Sequence, residues 1–171
     1  MKVLWMIFIL LGAACQDVRE RKISNRLILL GLAGICVIRY AAEEKKGIVN
    51  TGLSCILAIC IFFPLFLIHA IGAGDIKLFS LVAAMQGLEK AFQVCILWFL
   101  LAGIASLWRL LSKHRLRQRL AYVWRYVKSG IGTHVPYYDK KRDGMQDTIP
   151  LAPFLAASYS LVELGRWKGF W

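Results

Sequence analysis

Apolar residues fall along this chain in blocks rather than in the alternating or 3.6-residue stripes of a soluble domain. Six blocks can be delimited: Val3–Cys15, Leu27–Ala42, Ile48–Ile71, Ile76–Leu88, Ala91–Leu111 and Thr148–Gly165. Crossing ~30 Å of hydrocarbon takes about 20 helical residues at ~1.5 Å each. The third and fifth blocks meet that length outright. The other four are short, and short spans are accommodated by a thinned bilayer, by flanking residues or by helix ends sunk inside the protein. The pattern predicts an all-α polytopic membrane protein of about six transmembrane helices, in one domain covering residues 1–171.

The fourth block is the most informative. Its helix would cover only ~20 Å. Its start, at Asp75, is therefore expected below the membrane surface, surrounded by other helices or water, because irregular backbone exposed to lipid is not tolerated.

Charge orients the blocks. Arg19, Arg21, Lys22 and Arg26 follow the first, and a long run from Arg109 to Arg142 follows the fifth. The loop after the fourth carries Lys90, and in the loop after the second Glu43 and Glu44 offset Lys45 and Lys46. The positive-inside rule then places the first, third and fifth loops in the cytoplasm and both termini outside. The N-terminal stretch MKVLWMIFILLGAAC imitates a signal peptide, but with further membrane segments behind it the first helix reads as an uncleaved anchor. Pro64 is expected to kink the third helix, and Pro153 stands where a helix start tolerates proline.

Within the long basic loop, about 112–147, the stretch Ser112–Lys128 places Leu116, Leu120, Val123, Trp124 and Val127 on one helical face opposite a basic one. It is either a helix lying on an anionic leaflet or a solvated continuation of the fifth helix. Gly130–Asp147 reads as loop.

Composition agrees with membrane residence. The 171 residues are 58% hydrophobic, above the ~45–50% of a soluble domain. The net charge of +12, from 22 basic and 10 acidic residues, sits beside hydrophobic runs, so it marks topology and not a nucleic-acid partner. Cys15, Cys36, Cys55, Cys60 and Cys95 lie in or beside apolar blocks without a CxxC pair or zinc-site spacing, and read as small packing residues.

Ionisable groups at membrane depth are functional candidates by default. Most acids fall in predicted loops, and Glu163 falls at the outer end of the last helix. Asp17 and Asp75 differ: each joins an apolar block on the side that the charge rule makes cytoplasmic. Two carboxylates close together share a proton and titrate as a coupled pair, the arrangement of aspartic proteolysis. Two unrelated interfacial aspartates that cap helices or pair with Arg19, Arg21 or Lys22 would give the same pattern.

Local motifs separate these readings. Asp75 closes Gly72-Ala73-Gly74-Asp75, a GxGD, with Lys77 two residues on. The glycines would let the backbone bend and approach a substrate strand. Asp17 opens DVRERKISN, which contains Ile23 and Asn25, and TIPLAPFLAA runs from Thr148 to Ala157. Together these resemble the GxGD-type intramembrane aspartyl peptidases, and among them the type IV prepilin peptidases. That family carries D-x5-I-P-N, GxGDxK and IP-x-x-PF patterns in this order.

The resemblance implies a membrane aspartyl endopeptidase with Asp17 and Asp75 as acid and base, and Gly72, Gly74, Lys77 and Asn25 binding substrate or shaping the site. It implies no metal or other cofactor, and a bacterial-type cytoplasmic membrane with the site facing the cytoplasm. The implied partner is a prepilin-like protein cut after a Gly that follows a basic leader. Ser24 stands where the family has Pro. The expected form is the short one, without the CxxC domain associated with methyl transfer. Rival readings are an inactive component of a pilus or secretion apparatus and a small proton-coupled transporter. Lys77 is expected to meet a carboxylate or a lipid phosphate, Asn25 to bond near the site or cap the second helix, and His69 to be interfacial or packing.

Overall fold

The computed structural model describes residues 2–68, 71–112 and 150–168. His69, the Gly130–Asp147 loop and all but the first residue of the expected Ser112–Lys128 helix lie outside the described residues. The described residues are helical, with no strand among them. The helices are α1 (Lys2–Glu20), α2 (Asn25–Leu67), α3 (Ala73–Gln86), α4 (Leu88–Ser112) and α5 (Ala152–Trp167). Residues Met1–Leu101 and Pro150–Trp171 make up one compact unit, which holds both Asp17 and Asp75. The last turns of α4 belong to a second unit, Ala102–Ile149.

α2 contains two of the predicted blocks. Glu44, inside it, has φ 53° and ψ −137°, left-handed backbone that breaks a helix. Gly47 lies directly against the Arg39 carbonyl oxygen, although eight residues of straight helix would separate them by ~12 Å. The chain therefore folds back here, and α2 is a hairpin of two arms. Gly47 has to be small because a side chain would meet the opposing backbone. Thr51 Oγ1 returns a bond to the Gly47 carbonyl at 2.8 Å, and Arg39 pairs with Glu43 at 2.8 Å. Pro64 sits in the last turn of the second arm, where α2 keeps helical backbone angles; the break lies at Glu44.

The hairpin straddles α3. A methyl group at Gly31, on the first arm, would come 2.9 Å from Leu81 Cδ1. On the second arm the Cys55 thiol donates to the Ser80 carbonyl at 3.5 Å, and Phe62 meets Phe79 with ring centroids 4.7 Å apart. α3 is accordingly buried almost all round, with Leu78, Val82, Ala83 and Ala84 fully covered. A helix apolar on every side is a core helix or a membrane span. Gly87, at φ 86° and ψ 161°, lies in a region that only glycine occupies readily. It joins α3 directly to α4, donating to Ala83 and accepting from Ala91.

α1 buries the stripe Met6, Ile9, Leu10, Ala13 and Asp17. Leu4, Phe8, Leu11 and Val18 point outward, as do Ile56, Ile61, Ile96, Leu100, Leu161 and Leu164 on the other helices. Apolar residues outside as well as inside suit a lipid surround. Among the described residues two helices, not the six expected, are long and apolar enough to cross a membrane: Asn25–Leu67 and Leu88–Arg109. The shortfall has three sources. One hairpin accounts for two blocks, α1 carries Lys2, Asp17, Arg19 and Glu20, and α3 and α5 are only 14 and 16 residues long. Of the five cysteines, all free, Cys95 alone is buried, while Cys15 and Cys60 face outward and so do not pack in the core.

Candidate functional site

α1 delivers Asp17 because Asp17 continues its buried stripe one turn beyond Ala13. The carboxylate is only 9% exposed. Its Oδ2 accepts the Ala152 backbone N–H at 3.1 Å. That N–H is among the first of α5, whose N-cap, Leu151, has no side-chain acceptor to offer. Orphan N–H groups at a helix start need a partner, and the helix dipole favours a negative one there. Asp17 thus caps α5 from another helix. Pro153, in the first turn, removes one further N–H at no cost. Leu151 is held in turn by Trp98 of α4, whose indole Nε1 donates to its carbonyl at 3.0 Å. Trp98 is fully buried against Phe79 of α3.

Asp75 lies in the first turn of α3, three residues after the N-cap Gly72. Its own N–H donates back to the Gly72 carbonyl at 3.2 Å, closing the first turn of the helix. Gly72 has φ −74°, so it is not there for a left-handed bend. A Cβ at Gly72 would stand 3.1 Å from Asp75 Oδ2, crowding the carboxylate. Gly74 is small for a different neighbour: its Cβ would lie 3.2 Å from Ile23 Cδ1. The expectation that both glycines serve a sharp bend is replaced by one of space.

Ile23 belongs to the strap that joins α1 to α2. Arg21, at φ 54°, ends α1, with its N–H on the Asp17 carbonyl at 3.0 Å. The Ser24 N–H donates to Gln16 Oε1 at 2.9 Å, tying the strap back to α1. Ser24, not Asn25, caps α2: its hydroxyl accepts the Arg26 N–H at 3.3 Å. Where proline would only have removed a donor, serine supplies an acceptor. Asn25 instead accepts from Lys77 Nζ at 3.0 Å. Among the described residues Lys77 therefore meets an amide and not the carboxylate expected of it.

The strap and the first turn of α3 bring the two acids together. Asp17 is near enough for its charge to act on the Asp75 carboxyl. Asp17, Gly72, Gly74, Asp75, Lys77 and Asn25 all border one region where α1, α2, α3 and α5 start or end. Sequence reasoning reaches Ile23 and Ser24 only as motif positions and misses Gln16, Trp98 and Ala152. The Asn25-like position after Ile23 hinted at the strap, but nothing in the sequence links it to Lys77. Among the described residues, no group of three or more His, Cys, Asp or Glu is placed to hold a metal ion.

Residues 4–107, more than half of the chain and including both aspartates, match the type IV leader peptidase family. The match ends before α5. No curated protein and no solved structure matches the chain.

Proposed function

Because the chain belongs to the type IV leader peptidase family, we propose that this leader-peptidase-like protease is an aspartyl endopeptidase with Asp17 and Asp75 as its catalytic pair. The observation that carries this reading is the convergence of two carboxylates from separate helices, close enough to act on each other. A pair that cannot comfortably ionise twice holds one proton between two groups. The ionised member takes a proton from water as the water oxygen attacks the peptide carbonyl. The protonated member gives its proton to the carbonyl oxygen. Collapse of the tetrahedral species breaks the C–N bond, and the leaving nitrogen takes up a proton. The cap on Asp17 fits this role: its carboxylate is held by the Ala152 N–H.

The reading extends to the membrane. The two arms of α2 and α4 cross it, α1, α3 and α5 pack among them as shorter spans, and the site faces the cytoplasm. The substrate is a prepilin-like membrane protein, cut between a basic leader and its hydrophobic helix. The basic residues beyond α4 rest on anionic lipid. No methyl transfer accompanies cleavage.

The test is co-expression with a prepilin-like substrate. Asp17→Asn and Asp75→Asn are each expected to abolish cleavage while the protein still inserts in the membrane. Processing at the wild-type rate by either variant would sink the assignment.

A further inference from the structure

Resting on the aspartate reading above, we infer that Lys77 and Asn25 are positioning residues, a bridge that holds the start of α2 against the first turns of α3 and so fixes the distance between Asp17 and Asp75. Asp17 and Asp75 stand on elements that share no covalent constraint nearer than the whole α2 hairpin. Only the strap, residues 21–24, runs from Asp17 to the start of α2, and it must be anchored on α3 if the two acids are to keep one geometry.

The anchoring has two points. Gly74 and Lys77 are three residues apart, so they share one face of α3. Gly74 receives Ile23, with 3.2 Å to a Cβ placed there, and Lys77 Nζ reaches Asn25 Oδ1 at 3.0 Å. Ile23 in the strap and Asn25, the first residue of α2, flank Ser24, whose N–H donates to Gln16 beside Asp17. Asp75 follows Gly74 in the same turn. One face of α3 thus holds the strap at Ile23 and the start of α2 at Asn25 close to one acid, while Ser24 between them is fastened next to the other.

The bridge is exposed at both ends. Exposed polar pairs add little to folding stability. A role in positioning is different, because a misplacement of ~1 Å at reacting groups can cost on the order of a hundredfold in rate. The ammonium is suited to it: it has three donors on a flexible stem, and only an acceptor such as the Asn25 amide oxygen fixes it in place.

The experiment compares Lys77→Met, Asn25→Leu, the double variant and Lys77→Arg, as full-length protein in lipid vesicles with a prepilin-like substrate. Each single change is expected to lower kcat about tenfold with KM and the melting temperature unchanged. The double variant should be no slower than the slower single, since both break one bridge, and Lys77→Arg should recover most of the rate. The idea is overturned if the two losses multiply, if KM rises instead of kcat falling, or if the loss follows a drop in melting temperature. Asp17→Asn and Asp75→Asn run alongside. If they stay active, the aspartate reading fails. If they are dead while both bridge variants cleave normally, only the bridge fails.

Discussion

At Gly72 and Gly74 the smallest side chain is required for two separate reasons, and mutation can tell them apart. A methyl group at Gly72 meets the Asp75 carboxylate itself, at 3.1 Å from Oδ2. Gly72→Ala is therefore expected to lower kcat on the order of tenfold, because even a small displacement of a reacting group is costly. No neighbour can be trimmed to relieve it without removing the acid. A methyl at Gly74 meets Ile23, most closely at Cδ1. Gly74→Ala should reduce activity less, and Ile23→Val, which deletes that Cδ1, should restore part of it. Cleavage rates of the four proteins, normalised to the amount inserted, test this. If Ile23→Val fails to help Gly74→Ala, the close approach is not what the glycine is for. Asp17 was legible in the sequence as a carboxylate beside an apolar block. Its further place on the stripe of Met6, Ile9, Leu10 and Ala13 follows from a 3.6-residue period. Its partner at Ala152 could not be read that way, since 135 residues separate them.

At the scale of helices, the pattern of apolar blocks located every described element to within a few residues, yet it did not reveal how they connect. The Glu43–Gly47 interruption looked like an ordinary loop, but the structure closes it with a single left-handed residue, Glu44, and a glycine against the opposite backbone. Gly87 does the same between α3 and α4. Because its backbone lies where an L side chain rarely goes, Gly87→Ala is expected to cost about 1–3 kcal/mol, although the added methyl would meet no neighbour. Unfolding in detergent by heat or denaturant would show it; an unchanged stability would mean that the α3–α4 turn can relax. Trp98 makes a functional case of the same kind. Its indole holds the Leu151 carbonyl and so the start of α5, whose first N–H donates to Asp17. Trp98→Phe keeps most of the packing and removes one of the two hydrogen bonds to that carbonyl, which the Leu155 N–H still reaches, at a cost of about 1 kcal/mol. Activity should fall along with stability, measured by cleavage and by melting temperature. A variant that loses stability but cleaves normally would separate α5 from the site. Periodicity could not expose this link, because Trp98 looks in sequence like any interfacial aromatic at a helix face.

For the molecule as a whole, the proposed function requires a chain with two clear spans among its described residues to hold two acids at a membrane face. The geometry of α2 supplies the answer proposed above. Its arms, either side of Glu44, measure about 28 and 34 Å at ~1.5 Å per residue, each near the thickness of the hydrocarbon. On that proposal Lys22, within the strap, and Lys45, at the turn, lie on opposite sides of the membrane. α3, sheathed by both arms, needs no lipid contact of its own and can be short. Its length then sets the depth of Asp75, because Gly87 ties its far end to the start of α4. Exposed Lys22 and Lys45 allow a direct check. In a background with the five native cysteines replaced by serine or alanine, Lys45→Cys is expected to react with an impermeant maleimide from outside intact cells. Lys22→Cys should react only in inverted vesicles, and Lys90→Cys, after α3, should behave as Lys45→Cys does. Labelling of positions 22 and 45 from the same side would mean that the first arm of α2 does not cross. The site would then lose its proposed depth, whatever the aspartates do. Labelling of 45 and 90 from opposite sides would instead place α3 across the reverse path, and the strap could not meet its first turn on the cytoplasmic face.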